Sequence, residues 1–254
     1  MRAFSLHNPG FVAILATAAA LPLSNLYAHW TAGKGVASAG GLVSQWTDQI
    51  SGLAAYAPAP GYRPSLASLG GHPALLFSGA QGLKVDALDL SATKAMTIAV
   101  VIRAAATGAT VVLEHTENYN STPNAFAIAT DYTDAIPGLT ASVRTGPGYQ
   151  GRTLPAPTQT DTLLVFRYDA TAGGGDGSVM LYANDAVTSP AISVPPSDEW
   201  LINAALHIGS RAATGGFGLN GYLADILVYR AALSDAAIAT LRAALNHQYT
   251  LNLS

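Results

Sequence analysis

Residues 222–229, near the end of the chain, alternate between two sets of side chains, and both sets are largely apolar. A period of two residues is the pattern of a β-strand, and apolar residues on both faces are expected where a strand is covered on both sides. The pattern therefore predicts a strand inside a sheet, packed on both faces.

A short amphipathic helix is predicted directly after this strand. The hydroxyl of Ser234 can accept a hydrogen bond from a free amide of the first turn, and Asp235 places negative charge at the positive end of the helix dipole. Ile238, Leu241 and Leu245 then fall on one helical stripe. We expect this stripe to pack against the sheet.

Other strands are predicted by apolar runs that are separated by loops of glycine, proline and asparagine. The clearest is MTIAVVIR at residues 96–103, which is rich in β-branched residues. Further strands are expected at residues 73–77, 111–114, 125–130, 139–143, 162–168, 178–183, 191–194 and 204–208. Regularly spaced strands followed by one C-terminal helix favour an all-β fold, an antiparallel two-sheet sandwich of jelly-roll type.

Three stretches of the chain resemble one family. They are the turn at Trp46, Asp48, Ser51 and Gly52, the segment GGHPALLFSGAQGL at residues 70–83, and the C-terminal segment. In the last, the resemblance is carried by Ile208, Gly209, Arg211, Phe217, Gly221, Asp225, Ile226, Val228, Tyr229, Ala232, Leu233, Ser234 and Ile238. Together these stretches resemble bacterial and phage laminin-G-like domains of the concanavalin A-like lectin/glucanase superfamily.

The resemblance implies a concanavalin A-like sandwich. It carries over no functional site, because Ile226 stands where the family usually has an acidic residue. The side chains of Asp48 and Ser51 suit a structural turn, since both can bond backbone amides.

The chain of 254 residues is interpreted as one sandwich domain at residues 26–254, preceded by an apolar arm at residues 1–25. The apolar run at residues 11–23 is too short to span a bilayer. It suits an arm that packs on another subunit, or alternatively a signal peptide. The residues expected to make assembly contacts are Phe11, Val12, Ile14, Leu15, Leu21 and Leu23.

Only 11% of the residues are charged, 50% are hydrophobic and the net charge is −3. The few lysines and arginines form no basic stripe, which argues against nucleic acid as a partner. The chain has no cysteine, which excludes disulfides, thiolate catalysis and cysteine-ligated metal.

Glycoside hydrolysis of the retaining type needs two carboxylates about 5 Å apart. Glu114 and Glu117 are three residues apart, and this spacing puts them on opposite faces of a strand. A polysaccharide lyase could use His115, Tyr119, Arg144 and Tyr149, but no spacing joins these residues. The protein is therefore predicted not to be an enzyme.

Two ligand types remain as expectations. The family's commonest accessory is calcium, and Asp131 and Asp134 are the best candidates to bind it; no other cofactor is expected. A glycan could stack on Tyr119 beside Asn118 and Asn120, or on Tyr149.

The low charge and the apolar arm favour a non-enzymatic structural protein of a large assembly. The resemblance favours a tailed-phage virion component, a capsid decoration, head-fibre or tail protein. Such a protein is expected to form a homo-oligomer and to contact other virion or assembly proteins. The alternative is a secreted or cell-surface module that binds carbohydrate or mediates adhesion. A polysaccharide hydrolase or lyase ranks third.

Overall fold

The structure, a computed structural model, describes residues 19–104, 108–130, 138–145, 148–154, 159–172, 179–188, 199–251 and 253, with only the backbone described at residues 148–150. Its elements, in chain order, are β1 (Leu26–Thr31), β2 (Val36–Ala39), β3 (Leu42–Thr47), β4 (Ala54–Tyr56), a 3-10 turn (Pro60–Tyr62), β5 (Ser65–Leu69), β6 (His72–Ser78), β7 (Leu83–Asp89), β8 (Ala95–Ala104), β9 (Thr110–His115), β10 (Phe126–Thr130), β11 (Leu139–Thr145), β12 (Gly148–Leu154), β13 (Thr162–Asp169), β14 (Val179–Ala183), β15 (Ala186–Val187), β16 (Asn203–Ile208), β17 (Asn220–Tyr229) and α1 (Asp235–Tyr249).

The pairings between these strands are all antiparallel. A first run of neighbours follows the order β5, β6, β17, β8, β13, β14, β15, with β1 beside β6 on the same edge of β17. A second run follows the order β4, β7, β16, β9, β10, β11, β12. β3 joins the two runs because it pairs with both β4 and β5. The predicted all-β, antiparallel class with a C-terminal helix is confirmed.

The central strands β8 and β17 are apolar on both faces, as their sequences predict. One face of each, with Val100 and Ile226, enters the main core and meets residues of the second run such as Phe126. The opposite face, with Val101 and Leu227, packs under α1. The first run of strands is therefore buried between the second run and the helix.

The helix α1 begins where the sequence predicts. The Ser234 hydroxyl accepts a hydrogen bond from the backbone amide of Ala237. Ile238, Leu241 and Leu245 are buried against the first run of strands, which confirms the predicted stripe.

A buried carboxylate also holds α1 to the sheet. Asp225 lies on β17, and its Oδ2 accepts a hydrogen bond of 2.9 Å from the Tyr249 hydroxyl at the end of the helix. Its Oδ1 lies 3.1 Å from Nε2 of His29 on β1. Burial, together with the Asp225 charge, raises the pKa of Tyr249, so the phenol stays protonated and remains a donor. The contact therefore links the first strand, the central strand and the helix.

The turn after β3 is built around the side chain of Asp48. Its Oδ1 accepts from the amides of Ile50 at 2.8 Å and Ser51 at 2.9 Å, and its Oδ2 accepts from the Ser51 hydroxyl at 3.0 Å. Asp48 is buried, so these hydrogen bonds satisfy a carboxylate that has little access to water. The structural interpretation of this turn is confirmed.

Two predictions fall largely outside the described residues. The strand expected at residues 191–194 lies there, as do the arm residues Phe11, Val12, Ile14 and Leu15. Of the other two arm residues, Leu21 packs beside the helix cluster and Leu23 is 71% exposed.

The substitution Leu241→Asp tests the docking of α1. A fully buried leucine contributes about 1.5–3 kcal/mol, and an unpaired carboxylate in its place costs more. We expect the melting temperature, followed by circular dichroism, to fall by about 10 °C or more. The matched control is Ala239→Asp, at an exposed helix position, which should change it little. Equal melting temperatures for the two variants would show that the helix does not stabilise the fold.

Candidate functional site

A line of polar side chains crosses four neighbouring strands of the second run. Tyr56 on β4 pairs with Lys84 on β7, Lys84 pairs with His207 on β16, and His207 pairs with Glu114 on β9. Directly paired residues point to the same face of a sheet, and neighbouring strands are about 4.8 Å apart, so the line is about 14 Å long. We call these four residues the polar row.

The polar row faces away from the main core because each strand alternates. Val85 on β7, Leu206 on β16 and Leu113 on β9 adjoin row residues in sequence and enter the core. The side chains of Lys84, His207 and Glu114 therefore project from the opposite face of the sheet.

Glu117 connects two members of the row. Its Oε1 accepts a hydrogen bond of 2.9 Å from the Lys84 ammonium, and its Oε2 lies 3.4 Å from Nε2 of His207. The hydrogen bond raises the pKa of Lys84 and lowers the pKa of Glu117. Both groups therefore stay charged throughout the neutral range.

The position of Glu117 corrects a prediction made from sequence spacing. Glu114 and Glu117 were expected on opposite faces of one strand, but β9 ends at His115 and the chain turns at Thr116, where φ is 143°. Glu117 thus reaches His207, the cross-strand neighbour of Glu114. The alternation rule fails here because it applies only within a strand.

Glu114 is buried and its carboxylate is fully engaged. Nε of Arg211 lies 3.0 Å from one carboxylate oxygen and 3.1 Å from the other, and the Tyr119 amide donates a hydrogen bond of 3.0 Å to Oε1. A buried charge is tolerated when it is paired and hydrogen-bonded in this way.

An exposed aromatic ring borders the row next to Arg211. The ring of Phe217 is 48% exposed, and the Arg211 guanidinium lies 4.6 Å from its centroid, within cation–π range. Phe217 sits in the turn between β16 and β17 at φ 50°, and its carbonyl accepts a hydrogen bond of 2.7 Å from the Val111 amide. The ring is therefore presented to solvent from an anchored backbone.

His207 is the most unusual member of the row. Its side chain is buried, yet neither ring nitrogen has a hydrogen-bond partner among the described residues. Burial lowers the pKa of His207, so the neutral imidazole persists and retains one donor and one acceptor nitrogen. At the far end of the row, the Tyr56 hydroxyl donates to Asp86, and this hydrogen bond raises the pKa of Tyr56.

Three of the residues predicted to bind a glycan follow Glu117 in one loop, and the fourth lies on β12. Tyr119 is buried against Ala125 and Ala127, and its hydroxyl donates to Ser142 Oγ at 2.6 Å. Its ring is therefore covered, which corrects the predicted stacking role. Asn118 and Asn120 are exposed in the same loop, where the Asn118 side chain accepts from the Asn120 amide at 3.1 Å. Tyr149 lies on β12, and its side chain is outside the described part of the chain.

The predicted calcium ligands Asp131 and Asp134 are also outside the described residues. Within the described ranges, no three His, Asp or Glu side chains come together as a metal site. In the same ranges no helix has the length and apolar character needed to cross a membrane.

The candidate lyase residues are brought together only in part, since Arg144 on β11 pairs with Tyr149 on β12. The His115 ring enters the core side of β9, where Nε2 lies 2.8 Å from the Leu88 carbonyl and the ring stacks on Phe126. Tyr119 lies over Ala127, which faces the other side of the sheet. His115 and Tyr119 thus share no surface.

The fold was compared with known proteins. A scan against models of protein families finds no match, and a search of curated protein sequences finds none either. Among solved structures, domain 4 of AbnA, a GH43 extracellular arabinanase from Geobacillus stearothermophilus in complex with arabinotriose, is similar over 87% of this chain and 98% of that domain, with a TM-score of 0.61 and 14% identity.

Two sialidases are also similar. The Trypanosoma rangeli sialidase in complex with sialic acid matches 90% of this chain and 34% of its own, with a TM-score of 0.57 and 13% identity. The NanB sialidase from Streptococcus pneumoniae matches 65% of this chain and 26% of its own, with 14% identity and a TM-score of 0.43, too low to support an argument. The chain thus spans about a third or less of these sialidases. At such identities the likeness shows a shared fold, found here in domains of glycan-processing proteins.

The burial of His115 predicts a measurable pH dependence of stability. Burial lowers its pKa from 6.5 to about 4, so the unfolded chain takes up this proton at a higher pH than the folded protein. Stability should therefore fall as the pH drops from about 6.5 to about 4, by about 3 kcal/mol from this group. Urea unfolding between these pH values should show a smaller loss for His115→Gln than for the wild type.

The exposed His247 provides the control for this measurement. His247→Gln should retain the full pH dependence, with His207 and the carboxylates contributing the remainder. If His115→Gln keeps the wild-type slope, His115 is not buried as a neutral ring.

Proposed function

We propose that this protein is a non-enzymatic carbohydrate-binding module and that the polar row, with Phe217 at its border, is the glycan-binding surface. The observation that carries the proposal is the placement of hydrogen-bonding side chains in register across four strands beside an exposed aromatic ring. The proposal includes an extracellular or cell-surface location.

The chemistry of the row suits a sugar. A sugar presents hydroxyl groups around its edge and an apolar face of C–H groups. Lys84 offers donors at the row, and Glu117 beside it offers acceptors. The Phe217 ring supplies a flat apolar surface for stacking.

The structural comparison supports the same function. Domain 4 of the arabinanase was solved in complex with arabinotriose, and this chain covers 98% of that domain. The likeness thus extends over a whole domain that was crystallised with a neutral oligosaccharide.

We further propose a two-sheet sandwich of the concanavalin A-like, laminin-G-like type for this module. The main core unites residues of both strand runs, and the Asp48 turn, β17 and α1 lie in the order that the sequence resemblance implies. In this proposal each run forms one sheet, and the polar row lies on the outer face of the second sheet.

The absence of catalysis is also part of the proposal. A glycosidase needs a general acid whose pKa is raised, whereas the Lys84 hydrogen bond lowers the pKa of Glu117. Glu114 is held against Arg211 with both carboxylate oxygens. Glu117 therefore stays ionised at neutral pH and has no proton to donate.

A role in a virion, with homo-oligomers formed through the N-terminal arm, stays a prediction from the sequence. It rests on Phe11, Val12, Ile14 and Leu15, which are outside the described residues. A calcium ion at Asp131 and Asp134 likewise stays a prediction. Neither is required by the proposed glycan-binding surface.

The substitution Phe217→Ala tests the glycan-binding surface. We expect the wild-type protein to bind arabinotriose or another member of a panel of neutral oligosaccharides, measured by calorimetry. Loss of the ring should weaken this binding about tenfold, equivalent to about 1.4 kcal/mol. Melting temperature should fall only slightly, because about half of the ring is exposed.

The control for this test is Trp200→Ala. Trp200 is also an exposed aromatic residue, at 55%, but it precedes β16 whereas Phe217 follows it. Its removal should leave glycan affinity intact. The reverse result would place the binding surface at Trp200, and a wild-type protein that binds no glycan would refute the proposed function.

Another prediction concerns catalysis. Purified protein should release no reducing ends and no unsaturated products from a broad set of polysaccharides. Glu117 is ionised at neutral pH and has no proton to donate, and Arg211 contacts both carboxylate oxygens of Glu114. Cleavage that disappears in both Glu114→Gln and Glu117→Gln, measured by reducing-end and ultraviolet assays, would show that the protein is a hydrolase or a lyase.

A further inference from the structure

We infer that the polar row selects neutral glycans over acidic ones and that Glu117 determines this selectivity. This inference rests on the proposed glycan-binding function and names the ligand class of the same surface.

The first step concerns the cations of the site, which already have counter-ions. Lys84 is paired with Glu117 at 2.9 Å, and Arg211 is paired with Glu114 at 3.0 Å. An acidic sugar needs a cation to replace the water that solvates its carboxylate. Here such a sugar would have to displace one of the protein's own carboxylates.

The second step concerns the balance of charge. Among the described residues, the ionic contacts of the row region involve the cations Lys84 and Arg211 and the carboxylates Asp86, Glu114 and Glu117, and these five side chains carry a net charge of −1. The neutral state of His207 adds no positive charge. A sugar carboxylate placed on the row would thus enter a region that is already negative, and like charges at short range repel.

The third step concerns the two glutamates. They differ in how easily a sugar carboxylate could displace them from their cations. Glu114 is buried beneath Arg211, whereas the Glu117 side chain is 60% exposed and follows the turn at Thr116. Competition for a cation would therefore take place at Lys84. This makes Glu117 the residue that excludes an acidic sugar.

A neutral sugar does not compete with Glu117 for Lys84, and it is not repelled by the negative charge of the region. The ammonium of Lys84 has three donor hydrogens and the carboxylate of Glu117 has several lone pairs, so both can bond sugar hydroxyls while they remain paired. Hydroxyl groups therefore match what the row offers.

The experiment compares acidic glycans with neutral counterparts. Trigalacturonate and its methyl ester are one such pair, and sialyllactose and lactose are a second pair that differs by one acidic sugar. Both pairs are titrated into the wild-type protein and into Glu117→Gln by calorimetry at low ionic strength. We expect the wild type to bind the neutral member of a pair at least tenfold more tightly.

In Glu117→Gln the row region loses one negative charge and Lys84 loses its counter-ion. The affinity for the acidic member should rise about tenfold relative to the neutral member. Lys84→Gln should not produce this gain, because it makes the region more negative. Arg144→Gln is the matched control, since Arg144 lies on β11, two strands beyond Glu114 and about 10 Å along the sheet.

A second measurement separates charge from shape. Salt at 0.5 M should reduce the preference of the wild type for the neutral member, because the repulsion of an acidic sugar is screened. The inference is overturned if the wild type prefers the acidic member, or if Glu117→Gln leaves the ratio of affinities unchanged. Binding of acidic glycans alone would leave the glycan-binding function intact, whereas binding of no glycan would remove both proposals.

Discussion

The structure depends on the burial of β17 on both of its faces. One face closes the main core and the other supports α1, so a polar side chain on this strand must find its partners inside the protein. Asp225 meets this requirement with His29 from β1 and Tyr249 from α1. A single buried carboxylate therefore joins the end of α1 to a strand that lies 196 residues before Asp225 in the chain, and it fixes the helix against the sheet.

A glycine-rich turn precedes β17 and follows β16. This turn connects the core to the candidate binding surface. Gly209 and Gly218 lie so close to Phe77 and to the Gly79 carbonyl that neither position has room for a side chain. The turn is thereby clamped against β6, and Phe217, between these two glycines, is held with its ring outward over Arg211. A binding residue fixed before the ligand arrives loses little conformational entropy on binding.

Local patterns in the sequence were sufficient to predict β8, β17 and α1. Strand alternation, a helical stripe and a capping serine each depend on residues that are close together in the chain. The polar row depends instead on the register between strands that are far apart in sequence, and no local pattern determines that register. A signal was nevertheless present, since Lys84 and His207 are each a single polar residue flanked by apolar neighbours. The covered position of Tyr119 and the turn at Thr116 could not be predicted, because tertiary packing of the loop determines both.

The ionic contacts of the row have a consequence for its chemistry. Catalytic sites place groups so that their pKa values approach the working pH, which allows a proton to move. In the row, pairing raises the pKa of Lys84 and lowers the pKa of Glu117, so both move away from neutrality and their charges are fixed. The paired charges of Glu114 and Arg211 are likewise directed at each other. Such a surface presents hydrogen-bonding groups of fixed charge, and this property is the basis of the proposed recognition of uncharged hydroxyl groups.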